Sequence, residues 1–117
     1  MEDIAVPRSR LAEAVREISA RHDVPVFTIA HAADGNPHPI IVVDPALGGL
    51  PDAVWEAAGA IFALALRLGG TLTGEHGVGV LKRQWVAEEL GPAAHAVQRR
   101  IKEDLDPRGI LNPGKAL

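Results

Sequence analysis

Four residues of this sequence have side chains and spacings that could do chemistry together: His31, His38, Glu75 and His76. The two histidines at 31 and 38 flank a turn-forming segment, residues 32–37, that lies between two apolar runs. If each is the hairpin-end residue of its strand, the pair faces across the ladder with Cβ atoms about 5 Å apart. Two imidazoles so placed can bind one metal ion at about 2.0–2.1 Å from each nitrogen. The alternative is a turn with two ordinary polar residues.

Glu75 and His76 lie in a glycine-rich segment, residues 70–79, that is typical of a functional loop. Glycine allows positive φ and close approach of the backbone. Two histidines and one glutamate suit zinc or a similar divalent ion with an open coordination position. The neighbouring His76 can then accept a proton near neutral pH. The alternative is a helix-to-helix loop with a solvated Glu–His pair.

The other polar residues are interpreted as structural. His22 and His95 are predicted within helices as plain surface residues, Asp34 and Asn36 as turn-formers, and Lys102 as part of a solvated helix face.

The elements that must position these residues follow the order β-α-β-β-α, with further helices after them. A short strand at residues 3–6 precedes a helix with Ser9 as its N-cap, running to about His22. Strands at residues 24–31 and 38–44 are joined by a tight loop and are therefore antiparallel. This order predicts an α+β fold, an antiparallel sheet with covering helices, close to the ferredoxin-like arrangement.

The second half of the chain is predicted to be mainly helical. A helix beginning at Pro51–Asp52 carries one broad apolar face and ends at Gly69–Gly70. A short helix over residues 83–90 is broken at Gly91–Pro92 and then restarts. Its second part has an apolar stripe, and the chain closes with two turns. The stripe is formed by Ala93, Val97, Ile101 and Leu105, and the turns by residues 106–109 and 112–114.

Both faces of the predicted hairpin are apolar, and Phe27, Ile29, Ile40 and Val42 alternate on one of them. A sheet that is apolar on both sides needs more cover than two helices supply. We therefore expect the chain alone to self-associate through an uncovered sheet face.

Composition excludes several classes of function. The 117 residues include no cysteine, which excludes a disulfide scaffold, a thiolate zinc site and a cysteine nucleophile. The formal net charge of −3 argues against binding to nucleic acid. No apolar run is long enough for a membrane span, and no export signal opens the chain, so we expect one cytoplasmic domain.

Three ordered segments resemble one family. Residues 28–39, TIAHAADGNPHP, resemble a GHxGDGNLHPN segment; residues 69–82, GGTLTGEHGVGVLK, resemble GGSITGEHGIGxxK; residues 101–115, IKEDLDPRGILNPGK, resemble a closing lDPxgilNPGK. These motifs are similar to those of FAD-linked oxidases of the vanillyl-alcohol-oxidase superfamily. The branch is that of glycolate oxidase FAD subunits, D-lactate dehydrogenases and D-2-hydroxyglutarate dehydrogenases.

The resemblance implies a flavoprotein of two parts, an FAD-binding domain and a C-terminal cap domain that shapes the substrate site. Residues 1–117 match only the C-terminal portion of the cap, so we expect a fragment that lacks the FAD-binding domain and does not turn over alone. FAD would then be bound only in a complete enzyme. The expected partners are that missing or separate domain and a small 2-hydroxyacid substrate.

The resemblance also implies roles for single residues. His31, His38 and Glu75 match the ligands of a divalent metal, such as zinc or manganese, that holds the substrate oxygens. His76 matches the general base that takes the hydroxyl proton while hydride passes to the flavin. Asn112 and Lys115 match the tail that returns towards the flavin, a cofactor-binding role.

The first motif departs from the family pattern at three positions, Ala33, Pro37 and Ile40. Ala33 and Pro37 replace glycine and leucine and stiffen the loop between the two histidines. Ile40 replaces an asparagine and removes a polar group that the substrate carboxylate would need. These changes predict a diverged substrate or a copy under relaxed constraint.

Three alternatives stay open. The chain could be a stand-alone metal-binding or interaction subunit that complements a separate FAD-binding chain. It could be a metal hydrolase that uses the two histidines and the glutamate without flavin. It could also be a remnant that folds without function.

Overall fold

The computed structural model describes residues 1–20 and 22–117, which divide into two compact units, Met1–His76 and Gly77–Leu117. The first unit contains helix α1, the strands β1 and β2, and helix α2, with bounds Leu11–Ala20, Val26–His31, Asn36–Ile41 and Asp52–Arg67. A two-stranded antiparallel sheet, with α1 packed against it and two further helices in the chain, confirms the predicted α+β class. No described helix is both long enough and apolar enough to cross a membrane.

Strands β1 and β2 form the predicted hairpin with shifted bounds. Strand β1 begins two residues later than predicted and ends at His31 as predicted. Strand β2 begins two residues earlier and ends three residues earlier than predicted. Val26 pairs with Ile41, and His31 pairs with Asn36 at the turn end. The turn is tight because Gly35 has a φ of +81° and lies against the N-terminal segment. A Cβ on Gly35 would be 2.2 Å from the carbonyl oxygen of Val6, so only glycine fits there.

The N-terminal segment, residues 2–6, runs along the other edge of β2 as an extended chain rather than as the predicted regular strand. The N–H groups of Glu2 and Ile4 donate to the carbonyls of Pro39 and Pro37, at 2.7 and 3.2 Å. Proline has no N–H to donate in return, so this pairing is one-sided. On its other side, Ala5 exchanges two backbone hydrogen bonds with Thr71, which anchors the start of the glycine-rich loop.

Helices α1 and α2 supply most of the core of the first unit. The broad apolar face predicted for α2 is buried, with Ile61 and Phe62 each 1% exposed. The predicted N-cap is wrong, because Ser9 lies inside a 3₁₀ turn, Arg8–Arg10. Helix α1 is described over Leu11–Ala20, close to the predicted end at about His22, and His22 itself is not helical. Residue 21, which the predicted helix included, lies outside the described residues.

The second unit consists of a 3₁₀ turn, Arg83–Trp85, helix α3, Val86–Leu105, and a closing pair of turns. The predicted break is confirmed: Gly91 has φ 69° and ψ 168°, which interrupts α3 before Pro92. His95 lies on α3 as predicted. The expected apolar stripe of α3 is present but not buried, since Val97 and Leu105 are 54% and 75% exposed.

The predicted turn at residues 106–109 is present and is held by one carboxylate. The N–H of Gly109 donates to the carbonyl of Asp106, and the side chain of Asp106 accepts hydrogen bonds from the N–H groups of Ile110 and Leu111. Lys102 pairs with the same carboxylate, so it is not the freely solvated residue that was predicted. The hydrogen bond from Lys102 is the main cause that holds the pKa of Asp106 below its usual value.

Candidate metal centre

His31 and His38 lie on the same face of the hairpin, but they are diagonal rather than directly opposite as predicted. His38 pairs with Ile29, and His31 pairs with Asn36, so the two histidines are offset by one pair on that face. Diagonal neighbours remain within reach of long side chains. The ring centroids are 5.1 Å apart and the rings are perpendicular, which brings both imidazoles to one point at the end of the sheet.

Glu75 reaches this point from the glycine-rich loop. Its Oε1 atom is 3.1 Å from Nε2 of His31 and 3.3 Å from Nε2 of His38. The three side chains differ in burial, because His38 is 6% exposed while His31 and Glu75 are more than half exposed. The three residues predicted as metal ligands therefore meet at one place on the surface, which we call the opening. His38 is buried beneath the exposed side chains of His31 and Glu75.

His76 lies beside these three residues. Its ring stacks on that of His38, with centroids 4.9 Å apart and planes 7° from parallel. Its Nε2 is 3.9 Å from Oε1 of Glu75, and its side chain is 38% exposed. Although Glu75 and His76 are consecutive, the loop turns both side chains towards the histidine pair. His76 thus lies next to the three predicted ligands without being one of them.

A buried carboxylate, Asp3, holds the loop that carries Glu75 and His76. Asp3 is 0% exposed and accepts hydrogen bonds from the N–H groups of Gly74 and His76 at 2.8 and 3.0 Å. A further N–H, that of Glu75, lies 3.3 Å from Oδ1, and the Thr73 hydroxyl donates to Oδ2 at 2.9 Å. The conformation of the loop is therefore set by one anion some seventy residues earlier in the chain.

Burial alone raises the pKa of the Asp3 carboxyl, because a buried charge is poorly solvated. Hydrogen bonds from the Asn36 side chain and the His76 N–H outweigh this effect, and those from Thr73 and Glu75 add to them. The pKa of Asp3 is therefore held well below its usual range. Asp3 is a permanent anion at neutral pH, directly behind the histidines.

Asn36 completes this arrangement and is not the turn-former that was predicted. It is buried at the first position of β2, where its Nδ2 donates to Asp3 Oδ1 at 2.8 Å and to the Ile4 carbonyl at 2.5 Å. Asp34, in contrast, is exposed in the turn as expected. Gly74 packs against this pair so closely that a Cβ would be 2.3 Å from Asn36 Nδ2 and 2.8 Å from Asp3 Oδ1.

Sequence reasoning missed Asp3 altogether. One signal was present, because Asp3 directly precedes an apolar run, Ile4-Ala5-Val6, that was predicted to be a strand. An acidic residue at the edge of an apolar strand needs hydrogen-bonding partners if it is buried. The identity of those partners depends on contacts between distant segments, which spacing along the chain does not encode.

Asn112 and Lys115, the predicted cofactor-binding residues, lie in the second unit. Their turn is closed by a hydrogen bond from the Lys115 N–H to the Asn112 carbonyl at 3.1 Å, and Asn112 has a φ of +46°. Arg83 donates to the carbonyl of Gly114 within the same turn, at 3.3 Å. Both side chains are on exposed residues.

The donor set fits a divalent cation. Ligands about 2.1 Å from a tetrahedral or octahedral ion lie about 3.0–3.4 Å from one another. The separations of 3.1 and 3.3 Å from the Glu75 oxygen agree with this spacing, and all three ligand atoms lie within 4.8 Å of one another. The same distances also suit hydrogen bonds from two protonated imidazoles to one carboxylate oxygen.

The positions that depart from the resembled motif lie close to this set. Pro37 is fully buried in β2, where its carbonyl accepts the hydrogen bond from Ile4. Ile40 is half-buried in β2 and pairs with Phe27. Ala33 is an exposed residue of the turn. Pro37, which was predicted to stiffen the loop, therefore lies in the strand that carries His38.

Comparison with known families gives one match over nearly the whole chain. The sequence profile described as "FAD linked oxidases, C-terminal domain" matches residues 1–116. The chain is 41% identical to "Glycolate oxidase subunit GlcD" of Bacillus subtilis over 98% of its own length. It is 39% identical to "Probable D-lactate dehydrogenase, mitochondrial" of Danio rerio, also over 98% of its length.

These relatives are much longer proteins. The alignments cover 25% of the Bacillus subtilis protein and 24% of the Danio rerio protein. A "D-lactate dehydrogenase" of Archaeoglobus fulgidus, 36% identical over 98% of this chain, is covered to 26%. The chain therefore spans about a quarter of the length of the curated relatives it matches.

Proposed function

Because this chain belongs to the FAD-linked oxidase C-terminal domain family, we propose that it is the substrate-side part of an FAD-dependent 2-hydroxyacid dehydrogenase or oxidase. The observation that carries this proposal is the convergence of His31, His38 and Glu75 at one opening, with His76 beside them. Relatives that are named glycolate oxidase and D-lactate dehydrogenase support the 2-hydroxyacid class of substrate.

The proposed ligands of a divalent cation are Nε2 of His31, Nε2 of His38 and Oε1 of Glu75. When bound, a divalent cation would polarise the substrate oxygens, and FAD in a complete enzyme would accept the hydride. An ion held by two neutral imidazoles and one carboxylate has open coordination positions that the carboxylate and hydroxyl oxygens of a 2-hydroxyacid can fill together. A simple alcohol offers one such oxygen.

His76 is proposed as the general base. Its Nε2, 3.9 Å from the Glu75 oxygen, is within reach of a hydroxyl group that occupies the opening. The backbone N–H of His76 donates to Asp3, which holds the main chain in place, and stacking on His38 orients the ring. The side chain is partly exposed, so that a proton accepted at Nε2 can leave to water. General bases of this kind contribute about 10²–10⁴-fold to rate.

Asn112 and Lys115 are proposed to approach the flavin in a complete enzyme, where a cationic side chain and an amide suit the polar groups of that cofactor. The proposed partner of this chain is an FAD-binding domain, either joined to it or encoded separately. Alone, the chain is proposed to be inactive, because the proposed hydride acceptor, FAD, would be bound by the FAD-binding domain.

Metal content tests the site. The purified chain is dialysed against zinc or manganese, and bound metal is measured by mass spectrometry beside the variants His31→Ala and Glu75→Ala. We expect near-stoichiometric binding by the wild type and a loss of at least tenfold in affinity in both variants. His95→Ala, which changes a histidine on α3, is the matched control and should bind as the wild type does. Equal and negligible metal in all four proteins would contradict the site.

Activity separates the proposal from its alternatives. A chimera carries this chain in place of the aligned quarter of the Bacillus subtilis relative, and reduction of a dye is measured with glycolate and D-lactate. We expect turnover by the chimera, a fall of about 10²–10⁴-fold in kcat with His76→Ala, and no turnover by the chain alone. Zinc-dependent cleavage of an ester by the chain without flavin would instead favour a metal hydrolase.

A further inference from the structure

We propose that Asp3 is a positioning residue that fixes the tautomer of His38, so that Nδ1 carries the proton and Nε2 is available to the cation. This inference rests on the proposed metal site and adds a residue to it. It is argued from the surroundings of the two ring nitrogens of His38 and from the hydrogen bonds that Asp3 already makes.

His38 is the buried member of the ligand set, and its two nitrogens face two different carboxylates. Nε2 is 3.3 Å from Glu75 Oε1, and Nδ1 is 3.6 Å from Asp3 Oδ1. Among the described residues, Nδ1 has no hydrogen-bond partner although it is buried. A buried polar nitrogen without a partner is costly, so a proton directed at the nearest anion is its favourable state.

The alternative tautomer could donate from Nε2 to Glu75, but that carboxylate is more than half exposed to water, whereas the Asp3 carboxylate that faces Nδ1 is fully buried. With the proton on Nε2, the lone pair of Nδ1 would point at the Asp3 carboxylate in a region shielded from water, where repulsion is strong. With the proton on Nδ1, Asp3 accepts a hydrogen bond after a shift of a few tenths of an ångström. Nε2 then presents its lone pair to the opening beside Glu75. A histidine ligand whose other nitrogen donates to a carboxylate is a common arrangement in metal sites.

Asp3 itself is unsuited to bind the cation, although its position beside His38 and His76 would allow a second set of ligands. Its Oδ2 already accepts from Thr73, Gly74 and His76, and its Oδ1 accepts from Asn36 at 2.8 Å. A carboxylate with these donors has little lone-pair capacity left for a metal ion. Oδ1 also lies 3.3 Å from the Glu75 N–H, so the N–H of His38 would share this oxygen with two other donors.

The same carboxylate therefore acts on both halves of the site. Through backbone N–H groups it positions the loop segment Gly74-Glu75-His76, and through Nδ1 it orients the ring of His38. The two halves come from segments that lie far apart in sequence. Asp3 links them without being exposed at the opening.

Nuclear magnetic resonance of the histidine rings tests the proposal directly in the wild-type chain. Uniformly ¹⁵N-labelled protein is observed at a pH above the titration of its histidines, without metal and with added zinc, and His38→Gln assigns the signals. We expect the Nδ1–H form of His38 without metal and, with zinc, a shift confined to Nε2 of that ring. An Nε2–H form, or zinc bound through Nδ1, would overturn the proposal.

The variant Asp3→Asn gives a second measurement, with Asp34→Asn as a control that removes one exposed carboxylate of the hairpin turn. We expect zinc affinity to fall by about 10–100-fold in Asp3→Asn and to be unchanged in Asp34→Asn. The Nε2–H form of His38 should also increase in Asp3→Asn. If Asp3→Asn does not fold, the wild-type spectra decide the question.

Failure of this proposal is distinct from failure of the metal site. If zinc shifts no histidine signal while His38 is in the Nδ1–H form, the role of Asp3 in fixing the ring stands and the metal site fails. If the metal-free His38 is in the Nε2–H form and added zinc nevertheless binds through Nε2 of that ring, the metal site stands and the role of Asp3 is wrong.

Discussion

At the scale of the single residue, the site depends on a side chain that is buried beneath it, that of Asp3. Asp3 is buried and ionised, and its hydrogen bonds set the directions of Glu75 and His76. The exposed ligands could be replaced by other donors without disturbing the core. Loss of Asp3 would instead remove the shared acceptor of the Asn36 side chain and of three loop N–H groups.

Gly74 is the residue where a single added methyl group should be most damaging. In Gly74→Ala the new Cβ meets Asn36 Nδ2 at 2.3 Å and Asp3 Oδ1 at 2.8 Å, so both must move apart. We expect a loss of about 3 kcal/mol in the free energy of unfolding, together with weaker zinc binding. Chemical denaturation followed by circular dichroism measures the first effect.

Gly49→Ala is the matched control, because a Cβ there meets nothing within 4 Å and the residue is exposed. Its free energy of unfolding should stay within about 0.5 kcal/mol of the wild type. Equal stability of the two variants would contradict the close packing of Gly74 on the Asp3–Asn36 pair.

The low pKa of Asp3 predicts a specific loss of stability in acid. Because the pKa is lower in the folded chain than the usual value near 4, the ionised carboxylate stabilises the fold at all pH values above about 4. That stabilisation is lost progressively as pH falls below this value. The difference in unfolding free energy between wild type and Asp3→Asn should therefore be greatest near neutral pH and shrink between about pH 4 and pH 2.

Urea denaturation at a series of pH values measures this difference. Asp34→Asn, which changes an exposed carboxylate, should follow the wild-type pH dependence closely. A difference between wild type and Asp3→Asn that stays constant down to about pH 2 would be inconsistent with a lowered pKa.

At the scale of the element, the hairpin shows which features follow from local pattern. The density of β-branched residues and the turn residues Asp34-Gly35 predicted two antiparallel strands, and both are present. The register was not predicted, because the turn was assigned residues 32–37 while β2 begins at Asn36. That shift placed His31 opposite Asn36 and made the histidine pair diagonal.

Helix α2 contributes the largest set of buried apolar residues to the first unit, and its apolar face was predicted except for Leu64, which is also buried. Phe62 is 1% exposed at the centre of that face. Phe62→Ala should lower the free energy of unfolding by about 3–5 kcal/mol, because a large cavity forms in the core. Fluorescence of Trp55, on the same helix, can report the transition.

The control on α2 is Glu56→Ala, which truncates an exposed side chain of the same helix. It should change stability by no more than about 0.5 kcal/mol. Comparable losses in the two variants would mean that the buried face of α2 does not stabilise the unit.

At the scale of the whole molecule, the first unit leaves part of its sheet uncovered. Phe27 and Ile29 lie on the same face of β1 as the site and are 64% and 58% exposed. Apolar side chains in such a group favour contact with another surface. For the chain alone, we propose that a second copy covers this face.

Self-association of the chain is therefore expected to rise with concentration. Sedimentation velocity should show species larger than the 12.4 kDa monomer, and Phe27→Thr with Ile29→Thr should reduce them. Leu47→Thr with Leu50→Thr is the matched control, since these leucines are 60% and 50% exposed but lie outside the strands. A wild-type chain that stays monomeric at every concentration would contradict the prediction.

The sequence by itself determined the identities of the proposed donors, the order of the main elements, the apolar face of α2 and the family, because each depends on residues close together in the chain or on a motif. Only the tertiary structure decided the strand register, the one-sided pairing of residues 2–6 with β2, and the role of Asp3. The physical reason is that a buried charge takes its partners from wherever the fold brings N–H groups together. Asp3 finds them at Asn36 and at residues 73–76, a distance in sequence that no local pattern spans.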